Sequence, residues 1–128
     1  MAVSGSFKHA LFQQFARVAK AMANGNRLEL LEFLAQGERS VDALAQVSGL
    51  SVANTSQHLQ QLRQGGLVVS RKVGKQVFYS LSGDDVPALF AGMREVAERH
   101  LATCDHRGNN VYLRRFGGSA AGGAKGGQ

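Results

Sequence analysis

Apolar residues recur at spacings of three and four from Phe7 to Met22: Phe7, Leu11, Phe12, Phe15, Val18, Ala19 and Met22. That period predicts an amphipathic helix. The stretch ANGN interrupts it. RLELLEFLAQG, Arg27 to Gly37, predicts a second helix with Leu28, Leu31 and Leu34 on one stripe and Gly37 as its stop. Ser40 suits the N-cap of a short helix, VDALAQVSG, and Gly49 permits a tight turn. Ser51 then caps VANTSQHLQQLRQGG, which ends at Gly65 and Gly66. A helix, a Gly-containing turn and a second helix in so short a span have helix-turn-helix spacing. Beyond the glycines the period changes. Leu67 to Val73 and Gln76 to Leu81 are β-branched and aromatic and flank Gly74, which predicts a β-hairpin. SGDD closes it. Asp84 or Asp85 caps a last helix, Pro87 fits its first turn, and Val86, Leu89, Phe90, Met93, Val96, Ala97 and Leu101 form its stripe.

The predicted architecture is mainly α with a small β-hairpin, a winged helix-turn-helix. It occupies residues 1–103. Residues 104–128, with FGGSAAGGAKGGQ at their end, read as a basic, Gly-rich flexible tail. With 128 residues, 44% of them hydrophobic, the chain suits one small packed domain.

Charge sharpens this picture. The chain carries a net +6 and a pI near 10.1, which favours a polyanionic partner: nucleic acid or an anionic membrane face. A solubilising basic surface would give the same totals. The distribution is more telling, because Ala43 to Gly83 contains no Asp and no Glu but holds Arg63, Arg71, Lys72 and Lys75. Those 41 residues are the second helix of the helix-turn-helix motif, the wing and most of the first helix. In a winged helix the second helix enters the major groove and the wing lies along the backbone or minor groove. A carboxylate on either surface would be repelled by phosphate.

The helix after Ser51 divides by face. Leu59 and Leu62 lie towards the core, with Thr55 and Ser56 one turn back. Ala53, Asn54, Gln57, His58 and Gln61 point elsewhere. Asn and Gln pair bidentately with adenine edges, and Ala53 or the Thr55 methyl could touch a thymine methyl. Ser51 sits at a helix N-terminus, which favours phosphate. Arg71, Lys72 and Lys75 bracket the hairpin tip and suit charge neutralisation. The expected DNA-binding set is Ser51, Asn54, Thr55, Ser56, Gln57, His58, Gln61, Arg63, Arg71, Lys72 and Lys75. Each has a plainer alternative: solvated polar side chains on an exposed helix, a local hydrogen bond for His58, and edge-strand protection for the wing.

From Asn26 to Leu81 the chain resembles the ArsR/SmtB family of winged-helix repressors. The Leu-rich helix, Ser-x-x-x-Leu, Leu-Ser, Ser-x-His-Leu-x-x-Leu, Gly-Leu-Val and Gly-x-x-x-x-Tyr-x-Leu follow in family order. ERSV and GLSVANTSQHLQ are most similar to the branch in which a rhodanese-like domain often follows, and no such domain is expected within 128 residues. The resemblance implies a sequence-specific repressor that binds an inverted-repeat operator in double-stranded DNA as a homodimer, its first and last helices pairing across a two-fold axis. Leu11, Phe15, Phe90, Met93 and Ala97 are the expected interface residues. Two wide apolar stripes in so small a chain agree, since one core cannot cover both. A symmetric dimer sets two recognition helices about one DNA turn apart.

The same resemblance bears on an effector. Family metal sensors place cysteines on the helix that here reads VDALAQ, which has none. A second family site maps to Asp85, Val96 and Arg99, of which only Asp85 could bind metal. Persulfide sensors use a cysteine on the helix that here reads RLELLEFLA, which also has none. What remains is RHLATCDH. If the last helix persists, His100 and Cys104 lie one turn apart, and with His106 they would suit Zn or As(III) shared by two chains. A thiol switch through Cys104, the chain's one cysteine, is the alternative. The leading expectation is no metal and no cofactor.

Nothing in the sequence suggests an enzyme: G-x-S-x-G, P-loop and zincin patterns are missing. No apolar run approaches the roughly 18 residues of a membrane span, no secretory signal opens the chain, and one cysteine permits no internal disulfide, so a cytoplasmic location is expected.

Overall fold

The computed structural model describes residues 2–105, and side chains within 5–101. Five helices and three short strands follow in the order α1 (Ala2–Met22), α2 (Gly25–Leu34), β1 (Arg39–Ser40), α3 (Val41–Ser48), α4 (Val52–Gln64), β2 (Val68–Val73), β3 (Gln76–Leu81) and α5 (Asp85–Asp105). The chain divides after Val86 into two compact units.

In the first unit the core is leucine: Leu30, Leu44, Leu59 and Leu62 are wholly enclosed, joined by Leu31, Leu34, Leu67, Val68 and Tyr79. These residues come from α2, α3, α4 and the wing, so the helix-turn-helix and the hairpin share one interior. The strands order β1–β3–β2, all antiparallel. Val73 pairs with Gln76 across Gly74 and Lys75. Gly74 has φ 60°, whereas no non-glycine residue is left-handed among those described, which is the pattern of a II′ hairpin turn.

Several expectations shift at their edges. Helix α1 starts five residues before the apolar stripe, with Gly5 and Ser6 inside it. Helix α2 begins at Gly25 because the Asn24 side chain accepts from the Asn26 and Arg27 amides. It ends at Leu34, three residues before the expected glycine stop. β1 was not expected at all: two residues carry too little pattern to read. It pairs Arg39 with Tyr79 and Ser40 with Phe78.

Only the C-terminal end of α1 enters this core, through Ala21 and Met22. Phe7, Leu11, Phe12 and Phe15 remain exposed, with the rings of Phe12 and Phe15 at 4.9 Å. At the other end of α4, Gly65 lies so close to α1 that an added Cβ would stand 2.5 Å from that of Ala21.

The second unit, in its described part, is the body of α5. Arg94 lies over the Phe90 ring at 5.4 Å and reaches Glu98 at 4.0 Å one turn on. Leu89, Val96 and Ala97 are exposed, while Phe90 and Met93 are half-exposed. The helix runs to Asp105, past the expected boundary at 103, so positions 100 and 104 are one turn apart. His106 and the tail expected from there lie outside the described residues.

Candidate nucleic-acid interface

The turn between α3 and α4 is fixed by local chemistry. Ser40 caps α3 by accepting from the Ala43 amide at 3.1 Å. Gly49, at φ 78°, ends it and donates to the Ala45 carbonyl. The Ser48 hydroxyl accepts from the Leu50 amide at 3.3 Å. Ser51 caps α4 through the Asn54 amide at 3.0 Å. Downstream, the Leu67 amide donates to the Leu62 carbonyl, and Ser82 ties the end of β3 back to Gly66 and Leu67. The hairpin is therefore anchored to the C-terminal end of the helix it accompanies.

Helix α4 buries Thr55, Leu59 and Leu62 and presents Ser51, Asn54, Gln57, Gln61 and Arg63 to solvent, with Ser56 and His58 half-buried. Thr55 is thus a correction to the expected DNA-binding set. It lies on the core stripe with Leu59 and Leu62, its Oγ1 enclosed without a hydrogen-bond partner, and its methyl cannot meet a thymine. His58 has an internal neighbour: its Nδ1 is 3.4 Å from Nη1 of Arg27. Arg27 in turn donates to the Ala21 carbonyl at 2.6 Å and the Lys20 carbonyl at 3.3 Å, so it ties the end of α1 to α4. Arg27 was missed because its partners lie on other helices.

Between α4 and the wing is an open cleft of about 310 Å³ lined by Ser56, Gln60, Arg63, Ser70, Arg71, Lys72 and Tyr79. A smaller cleft of about 220 Å³ at the wing tip has Val52, Ser56, Lys75 and Asp42 in its lining. Val52 was also missed: the first residue of α4 leaves 51% of its surface uncovered. Its place directly after the Ser51 cap was the available signal.

The wing cations are not equivalent. Arg63, Lys72 and Lys75 make no ion pair among the described residues, whereas Arg71 is engaged. Its Nε donates to Glu38 Oε2 at 2.6 Å and its Nη2 to Oε1 at 2.8 Å, a bidentate pair. The guanidinium also lies over the Phe78 ring at 5.3 Å. The Arg71 hydrogen bond holds the Glu38 carboxyl below the usual carboxylate range, and the same bond raises Arg71. Arg71 was expected to be free for phosphate. In this structure an acid from outside the acid-free window occupies it.

Among the described residues no group of three or more His, Cys, Asp or Glu side chains could hold a metal, and no helix is long and apolar enough to cross a membrane. His100 is exposed on α5, while the Cys104 side chain and His106 lie outside what is described.

A helix-turn-helix whose second helix carries an uncovered polar face, followed by a basic antiparallel wing, defines a winged helix-turn-helix DNA-binding domain. Residues 24–70 match the model of the bacterial regulatory proteins of the arsR family. The chain is 48% identical over 102 residues to the HTH-type transcriptional regulator Rv0324 of Mycobacterium tuberculosis, covering 80% of this chain but 45% of that protein, so it spans about half that relative's length. It is 40% identical over 93 residues to a transcriptional repressor SmtB homolog of Synechocystis, across 73% of this chain and 67% of that one. The solution structure of the homodimeric winged helix-turn-helix DNA-binding domain Mb0332 of Mycobacterium bovis, a possible ArsR-family regulator, superposes with a TM-score of 0.69 at 49% identity, covering 73% of this chain and 87% of that one. The chain belongs to the arsR family of bacterial regulatory proteins. The members it matches are transcriptional regulators, not enzymes.

Proposed function

We propose that this protein is a cytoplasmic transcriptional repressor that binds an inverted-repeat operator as a homodimer. The carrying observation is the continuous surface formed by α4 and the wing: uncovered amides at Asn54, Gln57 and Gln61 beside Arg63, Lys72 and Lys75, cations that make no ion pair among the described residues. The amides suit adenine edges and the cations suit phosphates. The Ser51 hydroxyl already caps α4, and the free amides of that first turn favour a phosphate beside it. Dimerisation is supported by the uncovered Leu11 and Phe15 on α1, by the exposed apolar positions of α5 near Phe90, Met93 and Ala97, and by the homodimeric state of Mb0332.

The test is selection of bound duplexes from a random pool, followed by sedimentation of the protein with and without the selected site. An inverted repeat with half-sites about one helical turn apart and a dimeric protein are expected. A pool that shows no enrichment would remove specific recognition. Phe90→Glu or Met93→Glu, which would bury an unpaired charge in the proposed seam, should give monomers that lose the operator. A variant that stays dimeric would move the seam elsewhere.

A second reading, a thiol- or metal-responsive derepressor, draws on the continuation of α5 through position 104. Its measurement is operator affinity of the wild type and Cys104→Ser with peroxide, polysulfide, zinc or arsenite. Release of the wild type alone would make Cys104 the sensor, and equal response would exclude it.

A further inference from the structure

We infer that Glu38 sets the protein's affinity for DNA backbone by holding Arg71 out of the phosphate-binding surface. The inference rests on the DNA-binding reading above and adds a residue that lowers affinity.

The sheet register carries it. Ser40, Phe78 and Arg71 occupy one row across β1, β3 and β2, and Arg39, Tyr79 and Ser70 the next. Glu38, two residues before Ser40, shares the face of that first row. Arg71 therefore reaches diagonally over the Phe78 ring to the far side of the sheet, away from the turn at Gly74 and Lys75. Lys72, the next residue of β2, points to the opposite face; both residues line the cleft against α4, but the Arg71 guanidinium is turned to Glu38. Of the two neighbouring cations that border this cleft, Arg71 has its guanidinium tied to Glu38, and Lys72 makes no ion pair among the described residues.

An ion pair whose charges lie within hydrogen-bond distance presents a dipole rather than a net charge, so its pull on a phosphate falls off steeply. The carboxylate also repels any phosphate that approaches the remaining edge of the guanidinium. The Nε edge, which would grip a phosphate bidentately, is already filled. The side chain of Arg71 is 60% exposed and that of Glu38 32%, so water already reaches both and removing the carboxylate leaves no enclosed charge behind. Glu38 stands outside the acid-free stretch from Ala43 to Gly83, yet the fold delivers it to the wing. On the DNA-binding reading, a net charge of +6 favours any duplex whatever its sequence, and a masked arginine lowers that background without touching the base-reading face.

The experiment measures binding to poly(dI-dC), which needs no operator, for wild type, Glu38→Gln, Arg71→Ala and the double variant across salt. Glu29→Gln on α2 serves as a control for net charge. Each phosphate contact contributes about 0.9 to the log–log salt slope, or roughly 3.5-fold in affinity across a fourfold change in salt. Glu38→Gln should bind more tightly at low salt, with a slope steeper by about 0.9. Arg71→Ala should keep the wild-type slope, the double variant should match Arg71→Ala, and Glu29→Gln should leave the slope unchanged. A flatter slope for Arg71→Ala would show that Arg71 already meets phosphate and overturn the inference. A gain from Glu38→Gln that persists without Arg71 would make the effect direct repulsion, and an unchanged Glu38→Gln would leave Glu38 without the role; either overturns it. If no variant, wild type included, binds duplex at low salt, the DNA-binding reading itself falls.

Discussion

The recognition helix and the wing are adjacent in sequence and share one core, but their surfaces are built in different ways. On α4 the exposed face follows from a single period: Thr55, Leu59 and Leu62 are inward, so Asn54, Gln57 and Gln61 are outward. On the wing, the two neighbours Arg71 and Lys72 have opposite circumstances, and the difference lies in Glu38, 33 residues away from Arg71. A helix face is a local property of the chain. The charge presented by a strand depends on whatever the fold places beside it.

Four measurements would break or sharpen this contrast. The largest effect is expected from Leu59→Ala, which removes a fully enclosed side chain from the stripe holding α4 in place. It should cost about 2–5 kcal/mol of stability. Thermal melting that shows less than about 1 kcal/mol would mean that α4 is not seated as described.

Next come Gln57→Ala and Asn54→Ala. Each is expected to cost about 1–3 kcal/mol on the selected operator and to relax the base preference at one position. Equal losses on operator and scrambled duplex in gel shifts would transfer that residue from base reading to backbone contact.

Lys72→Ala and Lys75→Ala should weaken all sequences alike and flatten the log–log salt slope by about 0.9 each. Unchanged slopes would leave the wing with no phosphate contact, and the contrast with Arg71 would vanish.

The smallest effect concerns pH. Arg71 holds the Glu38 carboxyl below the usual carboxylate range. A depressed acid contributes stability that is fully present above its unfolded value and lost as pH falls through the lowered folded one. The difference in melting temperature between wild type and Glu38→Gln should therefore be small and constant through neutral and mildly acidic pH, and disappear only below the ordinary carboxylate range. A difference that changes near neutrality would point to another titrating group.

What the sequence determined by itself is nearly all of the helix-turn-helix and the hairpin. Ser40 and Ser51 cap the helices expected of them, Gly49 and Gly74 take the left-handed conformations their turns require, and leucines at three- and four-residue spacing make the core. Each of these signals lies within a few residues of the structure it creates, so composition and period suffice to read it. The same period already placed Thr55 with the core, and its burial follows from that stripe.

Other features were decided by the tertiary structure. β1 exists because β3 offers it an edge at Phe78 and Tyr79, not because Arg39 and Ser40 favour a strand. Arg27 ties two α1 carbonyls and approaches His58 only once three helices meet. Gly65 matters because Ala21 comes to rest against it. The charge of the wing was the least legible of all. Ala43 to Gly83 is free of acids along the chain, but folding sets the Glu38 carboxylate against Arg71 and brings Asp42 to the cleft that Lys75 lines. Electrostatic interaction depends on distance through space, and a linear window has no access to that distance until the strands pair.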